Sequence, residues 1–460
     1  MSAVRAHSRC RFTPHPLHPL FAALAAALTA GAPAALADTA LRDTVVTATR
    51  SAAAIDELPV TVTAVSRDDM DRRQPTDDAD LFRDEPDVAM ARDLRRHGAT
   101  RVNIRGIEDK RVVQMVDGVR LPDFYNGGGP TNFTMSAAAS AMPDFLKQVE
   151  ILRGPASSLY GSDAMGGVVG FITLDPADIA SGDKRSGLRV RGAYAGASDT
   201  LSGSLVGALR GDTVDVLLGY AAARGNETDT QGRDGSVSAS RSRPNDIEVR
   251  DRGLLAKLIV RPAAGHKLSA TLEGREQEVQ TNILRLSSSL PKVTAMHGDD
   301  NNTRLRASLD YEHRPADAFY DRLLARVYRQ HSDTHNENYQ RRSNTGATCS
   351  AVSGAGNHCD IDQDFYFEQK TTGVNLQFES LLGGSGQLSQ LLTYGVDLMR
   401  QEVDELRDAT RYNRTTGTVS KSIAGETYPL RDFAVGTTDT IGLFLQDEIG
   451  GLAGGRLSLT

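Results

Sequence analysis

Beyond its first 40 residues the 460-residue chain has no apolar run of about 18 residues, the length a transmembrane helix needs, so such helices are excluded there. Tryptophan is absent, and hydrophobic residues make up 39%, below the range usual for a soluble globular protein. That polar average leaves the membrane open, because a transmembrane β-strand is apolar on one face only. Basic charge is not in excess. The formal net charge is −7, which argues against nucleic acid as a partner. The sequence shows no nucleophile–base constellation, metal motif or phosphate-binding loop, so neither an enzyme nor a resident metal or cofactor is expected. Cysteine is scarce, at three residues. Cys349 and Cys359 bracket a polar stretch, CSAVSGAGNHC. In an exported chain an even pair points to a disulfide closing a surface loop. The rival, a metal site using the adjoining His358, would need three or four ligands.

What is present begins with an export signal. Arg5, Arg9 and Arg11 form a positive region, Leu20 to Leu28 a short apolar core, and Ala35-Leu36-Ala37 a cleavage site. The core is too short to span a bilayer. Residues 1–37 thus read as a signal peptide that carries Cys10 away. Removing them takes three arginines and no acid, moving the formal charge from −7 to −10.

The octet Asp43-Thr44-Val45-Val46-Thr47-Ala48-Thr49-Arg50 follows, rich in β-branched residues that stiffen an extended chain. A free extended peptide can add as a strand to another protein's sheet edge. Equally, the octet could be the first strand of the next domain. Pro59 to Ser66 alternates cleanly and supplies a strand of its own, which leaves the octet available to a partner. Further on, Arg67 to Arg73 and Asp77 to Arg83 read as short helices. Strands are expected at 101–105, 111–116 and 149–152, with a turn at Asp117-Gly118.

Three motifs recur in order: the octet, IRGIEDKRVVQMVDGVRLP (104–122) and VEILRGPASSLYGSDAMGGVVGFITLDPAD (149–178). Together they resemble the plug domain of TonB-dependent outer-membrane receptors, and LYGSDAMGGVV followed by TLDPAD is most similar to the haem/haemoglobin branch. The resemblance implies a TonB box at Asp43, Thr44, Val45, Val46, Thr47 and Ala48, within a linker spanning 38–54. It implies a mixed α+β plug over 55–178, and a plug–barrel latch of charged residues including Arg105, Glu150 and Arg153.

From Gly187 onward the texture changes. Arg304, Arg306, Ser308 and Asp310 alternate with Leu305, Ala307, Leu309 and Tyr311, and similar alternation recurs at 213–220 and 322–327. Lipid on one face and a polar lumen on the other would give this pattern, and so would a soluble sandwich. Connection lengths separate the two. Short turns at 210–212, 262–266, 314–317 and 382–386 alternate with long polar segments at about 225–248, 281–301, 332–365 and 407–436, the outer-membrane barrel arrangement. The fold class is therefore mainly β: an antiparallel transmembrane barrel from 187 to 460 with an N-terminal plug. Barrels of the family have 22 strands; about ten are legible here, with the start of another at 456–460. The barrel is accordingly expected to be incomplete in this chain.

The resemblance implies active import of haem, with haemoglobin or another haem protein as a source, across the outer membrane of a Gram-negative bacterium. The partners would be TonB with ExbB and ExbD, outer-membrane lipid and the haem carrier, the receptor acting as a monomer. A ferric-siderophore receptor is the alternative within the family, and a passive adhesin or porin the alternative outside it. Haem iron takes His or Tyr ligands. The plug loop after VDGVR lacks the His the family commonly places there, leaving Tyr125 as the nearest candidate. His331, His335 and His358 are expected in or near the 332–365 loop as further candidates.

Overall fold

The computed structural model describes residues 44–47, 50–55, 58, 60–90, 101–123, 141–286, 292–343, 358–383, 389–423, 425–452 and 455–459. These belong to one compact unit, Asp43–Thr460. The signal segment, Asp43, Ala48, Tyr125 and Cys349 lie outside the described residues.

The N-terminal part is built on a five-stranded sheet. A two-stranded ribbon comes first, β1 (Thr44–Val45) with β2 (Ala53–Ala54). The sheet itself takes β3 (Thr61–Ser66), β6 (Val112–Val116), β7 (Val119–Arg120), β8 (Leu146–Arg153) and β9 (Gly167–Thr173), in the order β3-β8-β9-β6-β7. Only β6 and β9 run parallel. A small ribbon, β4 (Val88–Met90) with β5 (Val102–Ile104), lies apart from that sheet.

Helix α1 (Arg67–Arg73) starts where Ser66 and Asp69 cap each other's backbone N–H groups, at 3.2 and 3.1 Å. Two one-turn helices follow, α2 (Ser157–Tyr160) and α3 (Pro176–Ile179). Val65, Met70, Leu81, Phe82, Val149, Ile151, Val169 and Phe171 form the core, closed by an edge-on Phe82–Phe171 contact at 6.4 Å. At the tight turn after β6, Asp117 and Gly118 both adopt positive φ, and Gly118 leaves no room for a Cβ beside the Arg326 guanidinium.

The rest is one antiparallel sheet of long strands: β10 (Ser186–Ala195), β11 (Thr200–Arg210), β12 (Val214–Asn226), β13 (Asp246–Val260), β14 (His266–Asn282), β15 (Lys292–His313), β16 (Arg322–Ser343), β17 (His358–Leu382) and β18 (Ser389–Asn413). Three two-residue strands follow, β19 (Val419–Ser420), β20 (Ser422–Ile423) and β21 (Glu426–Thr427). The long sheet then continues with β22 (Gly436–Leu452) and the short β23 (Gly455–Leu459). Each strand pairs with its sequence neighbour, so the ten long strands and the start of an eleventh stand as the alternation predicts. The sheet is open: among the described residues β10 does not pair with β23.

Its two faces differ in kind. Arg304 and Arg306 are buried, while Leu305 between them and Leu309 beyond them are half-exposed. Leu188, Val190, Leu218, Ile441 and Leu443 stand on the same exposed apolar face of their strands. At the short-turn end, rings replace the missing tryptophan: His266 stacks on His313 at 4.3 Å, and Phe378 lies 5.4 Å from Tyr320 and 5.5 Å from Tyr394.

The long polar segments are shorter than expected: residues 292–301 belong to β15 and 407–413 to β18. Of the segment read as a 332–365 loop, residues 332–343 are strand β16 and 358–365 are strand β17. His331, His335 and His358 therefore stand on strands, on the same face as Val327 and Val374. Past the apolar stretch both faces of these strands are polar. The ladder continues there without the hydropathy alternation that marks it in sequence.

Candidate functional site

The octet is docked, by means other than a place in the five-stranded sheet. Its ladder is two residue pairs long, Thr44 with Ala54 and Val45 with Ala53. Side chains do the remaining work. The Glu150 carboxylate accepts the backbone N–H groups of Val46 at 3.0 Å and Thr47 at 2.6 Å. Tyr160 donates its hydroxyl to the Thr47 carbonyl at 2.9 Å, and Gln148 donates to the Thr44 carbonyl at 2.9 Å. Val45 and Thr47 are buried. Thr47 sits over Gly170, where a Cβ would come within 2.2 Å of its Oγ1. Glycine at that point is what lets the octet lie down.

Arg50 fastens the other end of the octet to the long sheet. Its guanidinium pairs with Asp397 of β18 at 2.8 Å, lies 4.0 Å over the Phe444 ring of β22 and 4.8 Å over Tyr160. Gln377 of β17 donates to its carbonyl at 2.8 Å. The octet thus bridges both parts of the molecule by polar contacts that water can replace.

Burial pushes the Glu150 carboxyl upward, against the opposing pull of the Thr47 and Val46 N–H groups. A raised folded-state value means that the folded protein binds the proton more tightly than the unfolded chain. The contribution of Glu150 to stability is therefore complete below the ordinary glutamate value of roughly 4.3 and is lost as pH rises through the raised one. The octet's own N–H groups act in the opposite sense, since they favour the ionised carboxylate. A nitroxide at Val46→Cys is expected to be more mobile when Glu150→Ala is added. Equal mobility with and without that change would show that the carboxylate does not hold the octet.

A second feature is a seam of ion pairs between the small sheet's surroundings and the polar face of the long sheet. Acids stand on the N-terminal side and bases on the long strands. Arg191 of β10 meets Asp144 at 3.2 Å, Lys257 of β13 meets Asp175 at 2.9 Å, and Arg275 of β14 meets Asp78 at 2.9 Å. Arg306 of β15 meets Asp117 at 2.7 Å, and Arg326 of β16 donates to the Asp117 carbonyl. Behind them Arg304 and Glu273, both fully buried, pair at 2.6 Å within the sheet. Burial disfavours ionised Asp117, but Lys257 and Arg306 outweigh it and hold the carboxyl well below the carboxylate range. Asp175 is lowered to about 2, Lys257 and Lys147 overcoming its burial.

The three residues expected to latch the two parts do something else. Arg153 pairs with Glu85 at 3.1 Å, both buried, and Arg105 with Asp87 at 3.3 Å on the surface, all within the N-terminal part. Glu150 holds the octet. The seam falls instead to the bases of the long strands and to Asp78, Asp117, Asp144 and Asp175. Sequence offered one signal for these bases, the Arg304–Arg306 alternation.

The candidate ligand residues do not converge. His331 and His335 are on the exposed face of β16, opposite to the seam, and His358 is at the start of β17. Cys359 is buried with Ile361, Ala409, Ile423 and Tyr428 and is disulfide-bonded.

Comparison with known proteins places these features in a family context. Residues 54–168 match the model described as TonB-dependent Receptor Plug Domain, and residues 260–460 match TonB dependent receptor-like, beta-barrel. A curated hemin receptor from Yersinia enterocolitica is 28% identical over 408 residues, covering 88% of this chain and 50% of that protein. One from Yersinia pestis is 28% identical over 361 residues, covering 78% and 47%. The chain thus spans about half the length of these relatives. Among solved structures, the siderophore receptor PiuA from Acinetobacter baumannii superposes with a TM-score of 0.56 at 14% identity, covering 86% of this chain and 56% of that one. At that identity the likeness concerns the fold alone.

Proposed function

The chain belongs to the TonB-dependent receptor family, and from that premise we propose that it imports haem across the outer membrane under the control of the docked octet. The observation that carries the coupling is the octet itself: a β-prone peptide held by Glu150, Tyr160, Gln148 and Arg50 rather than woven into a sheet. Such a peptide can leave without unfolding anything else. The haem cargo is supported by the two hemin receptors, which align with most of this chain.

The exposed apolar face of the long strands faces lipid, with the ring cluster at the short-turn end near the membrane–water boundary. Haem bound on the outer side shifts the plug. That shift strains the Arg50 contacts with β17, β18 and β22 and frees the octet into the periplasm. TonB, driven with ExbB and ExbD by the inner-membrane proton gradient, then pairs with the octet by strand addition and pulls. The seam suits this task. Its ion pairs fix the plug at rest, yet each charge can exchange its partner for water when pulled, which an apolar contact cannot do. No bond is made or broken in the cargo.

A strain relying on this receptor is expected to grow with haemin as sole iron source. Growth on a ferric siderophore but never on haemin would replace the cargo while leaving the coupling intact.

A further inference from the structure

We propose that the outward face of β16 and β17 carries two binding sites for a divalent transition metal, for which Zn2+ is a suitable ion. The residues repeat with a four-residue step. His331, Asp333 and Glu368 form one set, and His335, Glu337 and Asp364 the other, and within each set the ligand atoms lie within 4.8 Å of one another. In the first, His331 Nε2 touches Asp333 and lies 3.6 Å from Glu368 Oε1. In the second, His335 Nε2 lies 3.1 Å from Asp364 Oδ1 and 3.8 Å from Glu337 Oε1. Ligands bound tetrahedrally to zinc at about 2.1 Å stand roughly 3–4 Å apart, so small side-chain adjustments close either set.

The strand register supplies an independent reason for a cation. Asp333 stands directly opposite Glu368, and Glu337 directly opposite Asp364. Like charges facing each other across a ladder are destabilising, and a cation between them removes that cost. Both sets occur on half-exposed side chains, open to an ion from outside. An imidazole with two carboxylates suits Zn2+ better than the all-oxygen cages of Mg2+ or Ca2+, and three protein ligands leave a fourth position for water.

The two sets differ in readiness. The Tyr366 ring stacks on His335 at 4.3 Å and fixes its orientation. Lys370 donates to Glu368 at 2.6 Å and competes with an ion in the first set. Four residues along a strand is about 13 Å, so the sites are separate and mononuclear. The His335 site fills first.

Equilibrium dialysis of the detergent-solubilised protein against Zn2+ tests this. The expected result is two ions per chain, the tighter lost in His335→Asn and Asp364→Asn, the weaker in His331→Asn and Glu368→Gln. Each variant is first checked for the heat-sensitive gel migration of a folded barrel. A protein that binds no Zn2+, or a His331→Asn/His335→Asn double variant that keeps either ion, overturns the assignment.

Discussion

Replacing Asp117 with Asn is expected to lower the stability of the plug in its seat by about 3–5 kcal/mol, the usual cost of removing one partner from a buried ion pair. Asp117 is held from both parts of the molecule. It accepts from Arg306 at 2.7 Å and from the backbone N–H and hydroxyl of Thr173 at 2.9 and 2.7 Å. Asn keeps the positive-φ turn at this position but not the charge. Arg306 is then left in a buried site with Glu273 at 3.7 Å, a carboxylate already paired with Arg304. The midpoint of urea unfolding, followed by tryptic cleavage within the plug, reads the effect. A midpoint within error of the parent's would mean that the Asp117 pair contributes nothing to seating. The pH dependence has a definite sign. Because Asp117 and Asp175 are depressed, their contribution is complete above the ordinary aspartate value of roughly 3.9 and is lost only as pH falls through their lowered ones. Mild acidification to pH 5 therefore leaves the seam intact.

Deleting residues 43–50 is expected to abolish growth on haemin while leaving haemin binding at the cell surface unchanged. The octet contributes little to the fold. Its own ladder has two pairs, and its other contacts are side-chain hydrogen bonds, the buried Val45 and Thr47, and the Arg50 ion pair and ring contacts. Among the described residues the five-stranded sheet makes no ladder contact with it. Under the proposed coupling, what the deletion removes is the strand offered to TonB. Surface binding lost together with growth would show instead that the octet is needed to build the receptor.

The particular residues show what the sequence could and could not reveal. Strands β3, β6 and β8 of the small sheet, the helix after Ser66 and the Asp117-Gly118 turn were legible because each rests on local pattern and turn chemistry, whereas β9, within a glycine-rich motif, was not read as a strand. The ten long strands were legible wherever one face is apolar. They became invisible past Val327 and before Val374, where both faces turn polar while the ladder runs on to Ser343 and from His358. That is why His331 and His335 were expected in a loop and stand on a strand. Glu150 was legible as a charge at a strand end, and a side-chain partner on the barrel wall was the natural expectation. Its partners are backbone N–H groups more than 100 residues earlier, which no side-chain pattern encodes. The seam acids Asp78, Asp144 and Asp175 sit at helix starts and turns, where an acidic residue already has a local reason to be. Their second role, facing a base on a distant strand, leaves no mark in spacing.

Coupling of energy to entry through the octet is read from the accumulation of radiolabelled haemin inside cells. Cells whose receptor retains residues 43–50 are predicted to accumulate label in a manner abolished by a protonophore. Cells whose receptor lacks them are predicted to hold label at the surface only. Equal, protonophore-sensitive accumulation in both would contradict it.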